Sequence, residues 1–170
     1  MKIRVLLTAT AAALSSQILW AQDPIPNRLI DYDGFQKIVE TSKTERESRR
    51  LMEEAFLSAM KEKDVVVLDA RSANMYKLRH IKGAVNLPFT DFTATTLAGV
   101  LSAKDAKILI YCNNNFLGSP RAFASKTATA SLNFSTYTSL KSYGYGNIYE
   151  LGPLLDVNKT SIPFEGTEVR

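Results

Sequence analysis

The chain of 170 residues carries 21 Lys and Arg against 17 Asp and Glu, a formal net charge of +4, with 45% hydrophobic residues. That length and apolar content suit one domain with a buried core. A single cysteine excludes an internal disulfide, and one histidine beside it leaves no zinc-ligand set, so no metal and no cofactor are expected. The only close group of bases, Arg46, Arg49 and Arg50, is interleaved with Glu45 and Glu47. Nucleic acid is therefore not an expected partner.

Residues 1–21 read as a secretory signal. Lys2 and Arg4 precede a mostly apolar run, and Leu19-Trp20-Ala21 ends it on a small residue. Thr8, Thr10, Ser15, Ser16 and Gln17 interrupt that run, so stable membrane insertion is not expected after cleavage. The mature chain would begin near Gln22 or Asp23. Losing Lys2 and Arg4 takes two from the net charge of +4 and leaves +2. The expected location is secreted or periplasmic, where an unpaired thiol calls for a reactive role or an intermolecular partner.

Residues 22–63 form a lead-in and a helical segment. Leu29-Ile30 is expected to begin a short strand at an edge, with Asp31 or Asp33 as a cap. The charged stretch 35–63 is helix-compatible, with Leu51, Ala55 and Met60 on one face. Residues 64–69 are the clearest strand, apolar at successive positions as a strand covered on both faces should be. A helix over 72–78, a strand over 83–88 and a helix over 93–101 follow. Strands at 107–111 and 147–151 complete the pattern. Strands alternating with helices predict an α/β fold with a mainly parallel sheet and a site beyond the carboxyl ends of its strands.

Cys112 lies at such an end, within KILIYCNNNFLGSPR. A lone cysteine is often a small buried hydrophobe. Here it closes an apolar run and precedes three asparagines and a glycine, residues that let a chain turn sharply. Ser119-Pro120 can supply an N-cap and a first helical position. A thiol on a turn before a helix start sits where backbone N–H groups converge on an anion, which favours the reactive thiolate.

VVVLDARSANMYKLRHIKGAVNLP resembles the first signature of the rhodanese-like domains, through Asp69, Arg71, Tyr76, His80, Ile81, Gly83, Ala84, Asn86 and Pro88. ILIYC is similar to their second signature. Leu140, Gly144, Tyr145 and NIYEL are similar to the third. The resemblance implies a rhodanese-like, five-stranded, mainly parallel sheet flanked by helices, with a core over residues 64–157 and a tail over 158–170 packed loosely on it. It implies a sulfurtransferase in which Cys112 takes sulfane sulfur as a persulfide from a small donor anion and passes it to a thiol or cyanide-like acceptor. Asn113, Asn114, Asn115, Gly118, Ser119 and Arg121 would hold the anion. His80 would be structural, as would Gly83, and Asp69 and Arg71 a fold-holding pair.

The loop after Cys112 departs from the family pattern. Leu117 stands where sulfurtransferases carry an arginine, and Gly118 where the phosphatases of this fold carry theirs. Phosphatase activity is the least expected outcome. A catalytically silent module that binds a protein partner is the competing class. The Ser- and Thr-rich stretch before Gly144 is expected to break near Asn133, with a last helix over 135–142. Residues 113–132 would then form an enlarged lid or cradle that sets substrate choice, with Arg121 folded back onto the anion.

Overall fold

Ile108, Leu109, Ile110 and Tyr111 are essentially without solvent exposure, and the protein is built outward from them. The computed structural model describes residues 25–169. The expected leader at 1–21 and the start near Gln22 lie outside the described residues. Residues 25–30 carry a turn at Arg28-Leu29, in which Ile30 N–H donates to Asn27 O at 3.1 Å. The strand expected at Leu29-Ile30 is thus absent.

From Asp31 onward the elements are α1 (Tyr32–Ser48), β1 (Arg50–Leu51), α2 (Glu53–Ala59), β2 (Val66–Asp69), α3 (Ala73–Leu78), β3 (His80–Ile81) and β4 (Val85–Asn86). Then come α4 (Ala94–Val100), β5 (Ile108–Tyr111), β6 (Phe116–Leu117), α5 (Leu132–Ser142), β7 (Ile148–Leu151), β8 (Leu155–Asp156) and β9 (Phe164–Glu165). Five strands form one parallel sheet in the order β1-β7-β5-β2-β4. In β5, Ile108 and Ile110 join Leu68, Leu97, Tyr137, Leu140 and Ile148 in one core. Leu109 and Tyr111 join Phe56, Val67, Ile81, Phe116, Phe123 and Leu151 in the other. Alternate side chains of one strand thus serve two cores, which is why β5 is apolar at every position rather than at every second one.

Local chemistry sets the helix starts. Asp31 caps α1 by accepting from Gly34 N–H at 2.8 Å. Ser72 caps α3 through Met75 N–H, and Thr93 and Thr96 form a capping box at α4. Each satisfies donors that the first helical turn leaves free.

Three expectations are corrected. The stretch 35–63 is not one helix: it breaks into α1, β1 and α2, because Arg50 and Leu51 pair with β7. Glu150 N–H donates to Arg49 O at 3.1 Å and Gly152 N–H to Leu51 O at 2.9 Å. Glu150 is buried, and Arg46 Nε (3.1 Å) and Arg50 Nε (3.2 Å) both reach its carboxylate. Burial pushes the Glu150 pKa above the usual carboxylate range, while Arg46 and Arg50 pull against it. Sheet pairing and this charge cluster override helix propensity there.

The tail is not loosely packed. β9 pairs antiparallel with β3, Ile162 is 3% exposed, and Phe164 meets the rings of Phe116 and Phe123 at 5.1 and 6.0 Å. No helix starts at Ser119-Pro120 either. A single turn closes there, with Phe123 N–H on Ser119 O at 2.8 Å, because Ala122 and Phe123 are drawn into the core.

Candidate active site

The carboxyl ends of β2 and β5 are joined by a buried polar network. Both side chains of the Asp69–Arg71 pair are fully buried. Arg71 Nε donates to Asp69 Oδ1 at 2.9 Å, and its Nη1 and Nη2 donate to the carbonyls of Ala122 (2.7 Å) and Arg79 (2.9 Å). Tyr111 donates its hydroxyl proton to Asp69 and accepts from Ile81 N–H at 3.1 Å. Burial, and then the charge on Asp69, push the Tyr111 pKa well above that of an ordinary phenol, so the hydroxyl stays protonated and keeps donating. Asn86 Nδ2 bridges the carbonyls of Asp69 and Arg71 at 2.8 and 2.9 Å. These bonds hold β2, β4 and the chain around Ala122 in fixed register beside the end of β5.

Cys112 is the next residue after β5, 1% exposed, with extended backbone at φ −147° and ψ −173°. A 3₁₀ turn of Asn113–Asn115 follows. Asn114 N–H points at Cys112 Sγ at 3.4 Å, and the Ser131 hydroxyl lies 3.4 Å from the same sulfur. Asn115 Oδ1 accepts Cys112 N–H at 2.9 Å, and Asn115 Nδ2 donates to Leu151 O at 2.7 Å, tying the cysteine to the end of β7. The hydrogen-bonding groups on Cys112 are all uncharged.

The candidate anion-holding residues divide into two groups. Asn113, Asn114 and Asn115 stay with the cysteine. Gly118, Ser119 and Arg121 do not, because β6 carries the chain away to pair with β8. Gly118, at φ +87°, is closed in by Asp156 and Asn158, so that a Cβ there would sit 2.8 Å from either side chain. Ser119 Oγ donates to Glu168 at 3.3 Å, and Arg121 pairs with Glu168 at 3.0 Å while 76% exposed. The expected fold-back of Arg121 is therefore replaced by an ion pair with the C-terminal segment. His80 stacks on Tyr76 at 3.7 Å, its Nδ1 lies 2.8 Å from Tyr76 O, and its Nε2 faces Glu165 at 3.8 Å. Gly83, at φ +78°, makes the turn between β3 and β4.

A parallel sheet in this order, with a thiol at the carboxyl end of its central strand, meets the sequence profile of the Rhodanese-like domain over residues 52–151. The chain belongs to the rhodanese-like family. Over 104 residues it is 34% identical to the tRNA uridine(34) hydroxylase of Onion yellows phytoplasma (strain OY-M), a match covering 59% of this chain and 29% of that protein. The tRNA uridine(34) hydroxylase of Aster yellows witches'-broom phytoplasma (strain AYWB) gives the same identity and coverage. The match thus spans less than a third of those relatives. Among solved structures, the BH2092 protein from Bacillus halodurans superposes with a TM-score of 0.54 at 18% identity, over 78% of this chain and 88% of that one. That likeness is one of fold.

In this rhodanese-like domain part of the stretch expected as a lid, residues 124–130, is tied to Asn114, two residues after the thiol. Residues 124–130 are all exposed. Apart from Ser131 N–H on Ala128 O at 3.2 Å, the hydrogen bonds tying them to the rest of the domain, among the described residues, run to one side chain. Asn114 Nδ2 donates to Lys126 O at 2.9 Å, and Asn114 Oδ1 accepts from Lys126 N–H at 2.8 Å. Asn114→Ala removes both bonds, so iodoacetamide is expected to alkylate Cys112 about tenfold faster. An unchanged rate would mean that the segment does not control access to the sulfur. Ser131, Asn133 and Met75, which accepts from Asn113 Nδ2 through its sulfur at 3.4 Å, are the site neighbours the sequence left unmarked.

Proposed function

We propose that this domain is a sulfurtransferase that carries sulfane sulfur as a persulfide on Cys112, and that it works outside the cytoplasm. The observation that carries the reading is the place of Cys112. It stands immediately after the central strand β5, with the Asn114 N–H and the Ser131 hydroxyl each 3.4 Å from Sγ. Such groups favour the ionised sulfur that a nucleophile must supply. The thiolate attacks the outer sulfur of thiosulfate, the donor S–S bond breaks, and sulfite leaves with the electron pair. The Cys112 persulfide then gives its outer sulfur to a thiol or cyanide, which restores the thiolate with no net oxidation. Residues 1–21 support export through their charge and apolar pattern.

A second reading, a silent module that binds a protein partner, has two observations in its favour. Cys112 is only 1% exposed, and Arg121 is committed to Glu168. Intact mass separates the two. After incubation with thiosulfate, and separately with a polysulfide, the expected result is a gain of one sulfur that cyanide removes and that Cys112→Ser lacks. No gain with either donor would leave the binding module. The same spectrum tests export: a chain recovered from its host should begin near Gln22, and retention of Met1 would count against secretion.

A further inference from the structure

Among the described residues the sulfur of Cys112 has one side-chain hydroxyl beside it, and that hydroxyl comes from the far end of the long stretch between the 3₁₀ turn and α5. Ser131 occupies the N-cap position of α5, yet its side chain makes no capping hydrogen bond. Serine at this position ordinarily accepts from a first-turn N–H, as Ser72 does at α3. Here Oγ instead faces Cys112 Sγ at 3.4 Å, with no other hydrogen-bond partner among the described residues. A thiol and a hydroxyl can each donate to the other. Once the sulfur is ionised only the hydroxyl has a proton to give, and a hydrogen bond to a charged acceptor is the stronger of the two.

The start of α5 is also fixed to the cysteine's own backbone. Asn133 Nδ2 donates at 3.2 Å to Asn115 Oδ1, the same oxygen that accepts Cys112 N–H. Oδ1 of Asn133 and Oδ1 of Asn113 are both buried without a partner among the described residues, on residues 5% and 1% exposed. Asn113 directly follows Cys112 and Asn133 lies two residues after Ser131, so the surroundings of the thiol are polar, with hydrogen-bonding capacity still to fill. Those oxygens call for donors, whereas the positive end of the α5 dipole favours negative charge there.

We propose that Ser131 is the hydrogen-bond donor that holds the ionised sulfur of Cys112, taking the part for which the residues just after the cysteine have no side chain in place. The chain leaves Cys112 through β6 and returns with Ser131 at the head of α5. The inference rests on Cys112 as the reacting atom, and its test does not require sulfur transfer.

The measurement is the rate of Cys112 alkylation by iodoacetamide against pH, in the full chain and in Ser131→Ala and Ser131→Thr. Ser131→Ala should react roughly threefold to tenfold more slowly at about pH 7. The deficit should shrink as the pH is raised, since added base ionises the thiol in both proteins. Ser131→Thr, which keeps the hydroxyl, should restore the neutral-pH rate. A Ser131→Ala profile that is equal or faster at every pH would overturn the proposal, since a role limited to packing or cover changes access and not the shape of the profile. Sulfur loading from thiosulfate, followed by mass on the same proteins, keeps the two conclusions apart. Loading with an unchanged profile removes the role of Ser131 alone. A shifted profile without loading removes the sulfur-carrier reading alone.

Discussion

Asp69→Asn is expected to destabilise the domain by about 3–5 kcal/mol, the usual result of stranding one member of a buried ion pair. The amide matches the carboxylate in shape but not in charge. Arg71 would keep its guanidinium fully buried, facing a neutral amide oxygen in place of the carboxylate, with the carbonyls of Ala122 and Arg79 as its other acceptors. Tyr111 would lose the charged acceptor for its hydroxyl. Urea denaturation would read the loss directly, and the midpoint of thermal unfolding should fall by roughly 10 °C. A change below about 1 kcal/mol would show that the network is solvated in a way the fully buried side chains contradict. The damage should also reach the site, because these bonds set the end of β5 that presents Cys112.

Ending the chain after Ser161 is the second large perturbation. It removes Ile162 and Phe164 from the core on one face of the sheet and takes away the β9 partner of β3. It also takes away the Glu168 carbonyl that accepts from Arg79 and the carboxylate that pairs with Arg121. Two large apolar side chains alone contribute about 3–5 kcal/mol. The rings of Phe116 and Phe123 would face the gap. A domain with a total stability of roughly 5–15 kcal/mol would then be partly unfolded at growth temperature. Limited proteolysis of the shortened chain should be fast and should cut within the core. An unaltered denaturation midpoint would show that the segment adds nothing to the fold.

Much of the architecture was legible in the sequence where short-range chemistry decides it. Apolar runs without alternation marked β2 and β5 as strands, and the short helices beginning at Ser72 and Thr93 were placed to within a residue or two. Cys112 could be placed because a strand end is visible as the end of such a run. What escaped depends on partners distant in sequence. Arg50 and Leu51 look helical until β7 is beside them, and Phe164 looks like part of a tail until β3 offers a ladder. Arg121 was drawn toward the sulfur by its spacing, whereas the acid that claims it, Glu168, lies 47 positions later. Ser131 is one hydroxyl in a stretch rich in them. Only the route of the chain through β6 and back to α5 distinguishes it from its neighbours.

The sheet has one further property, set by the brevity of its outer members. β1 and β4, the first and last strands in its order, are each two residues long. Pro88 stands shortly after β4, and Arg50 places a charge on β1 with its side chain 41% exposed. A strand from another molecule would find only a few backbone positions to pair with on either side. Long, flat, unpaired margins are where folded proteins recruit one another into aggregates, and short charged ones resist it. The apolar residues that make the middle of this sheet the anchor of the domain are therefore kept from templating growth between molecules.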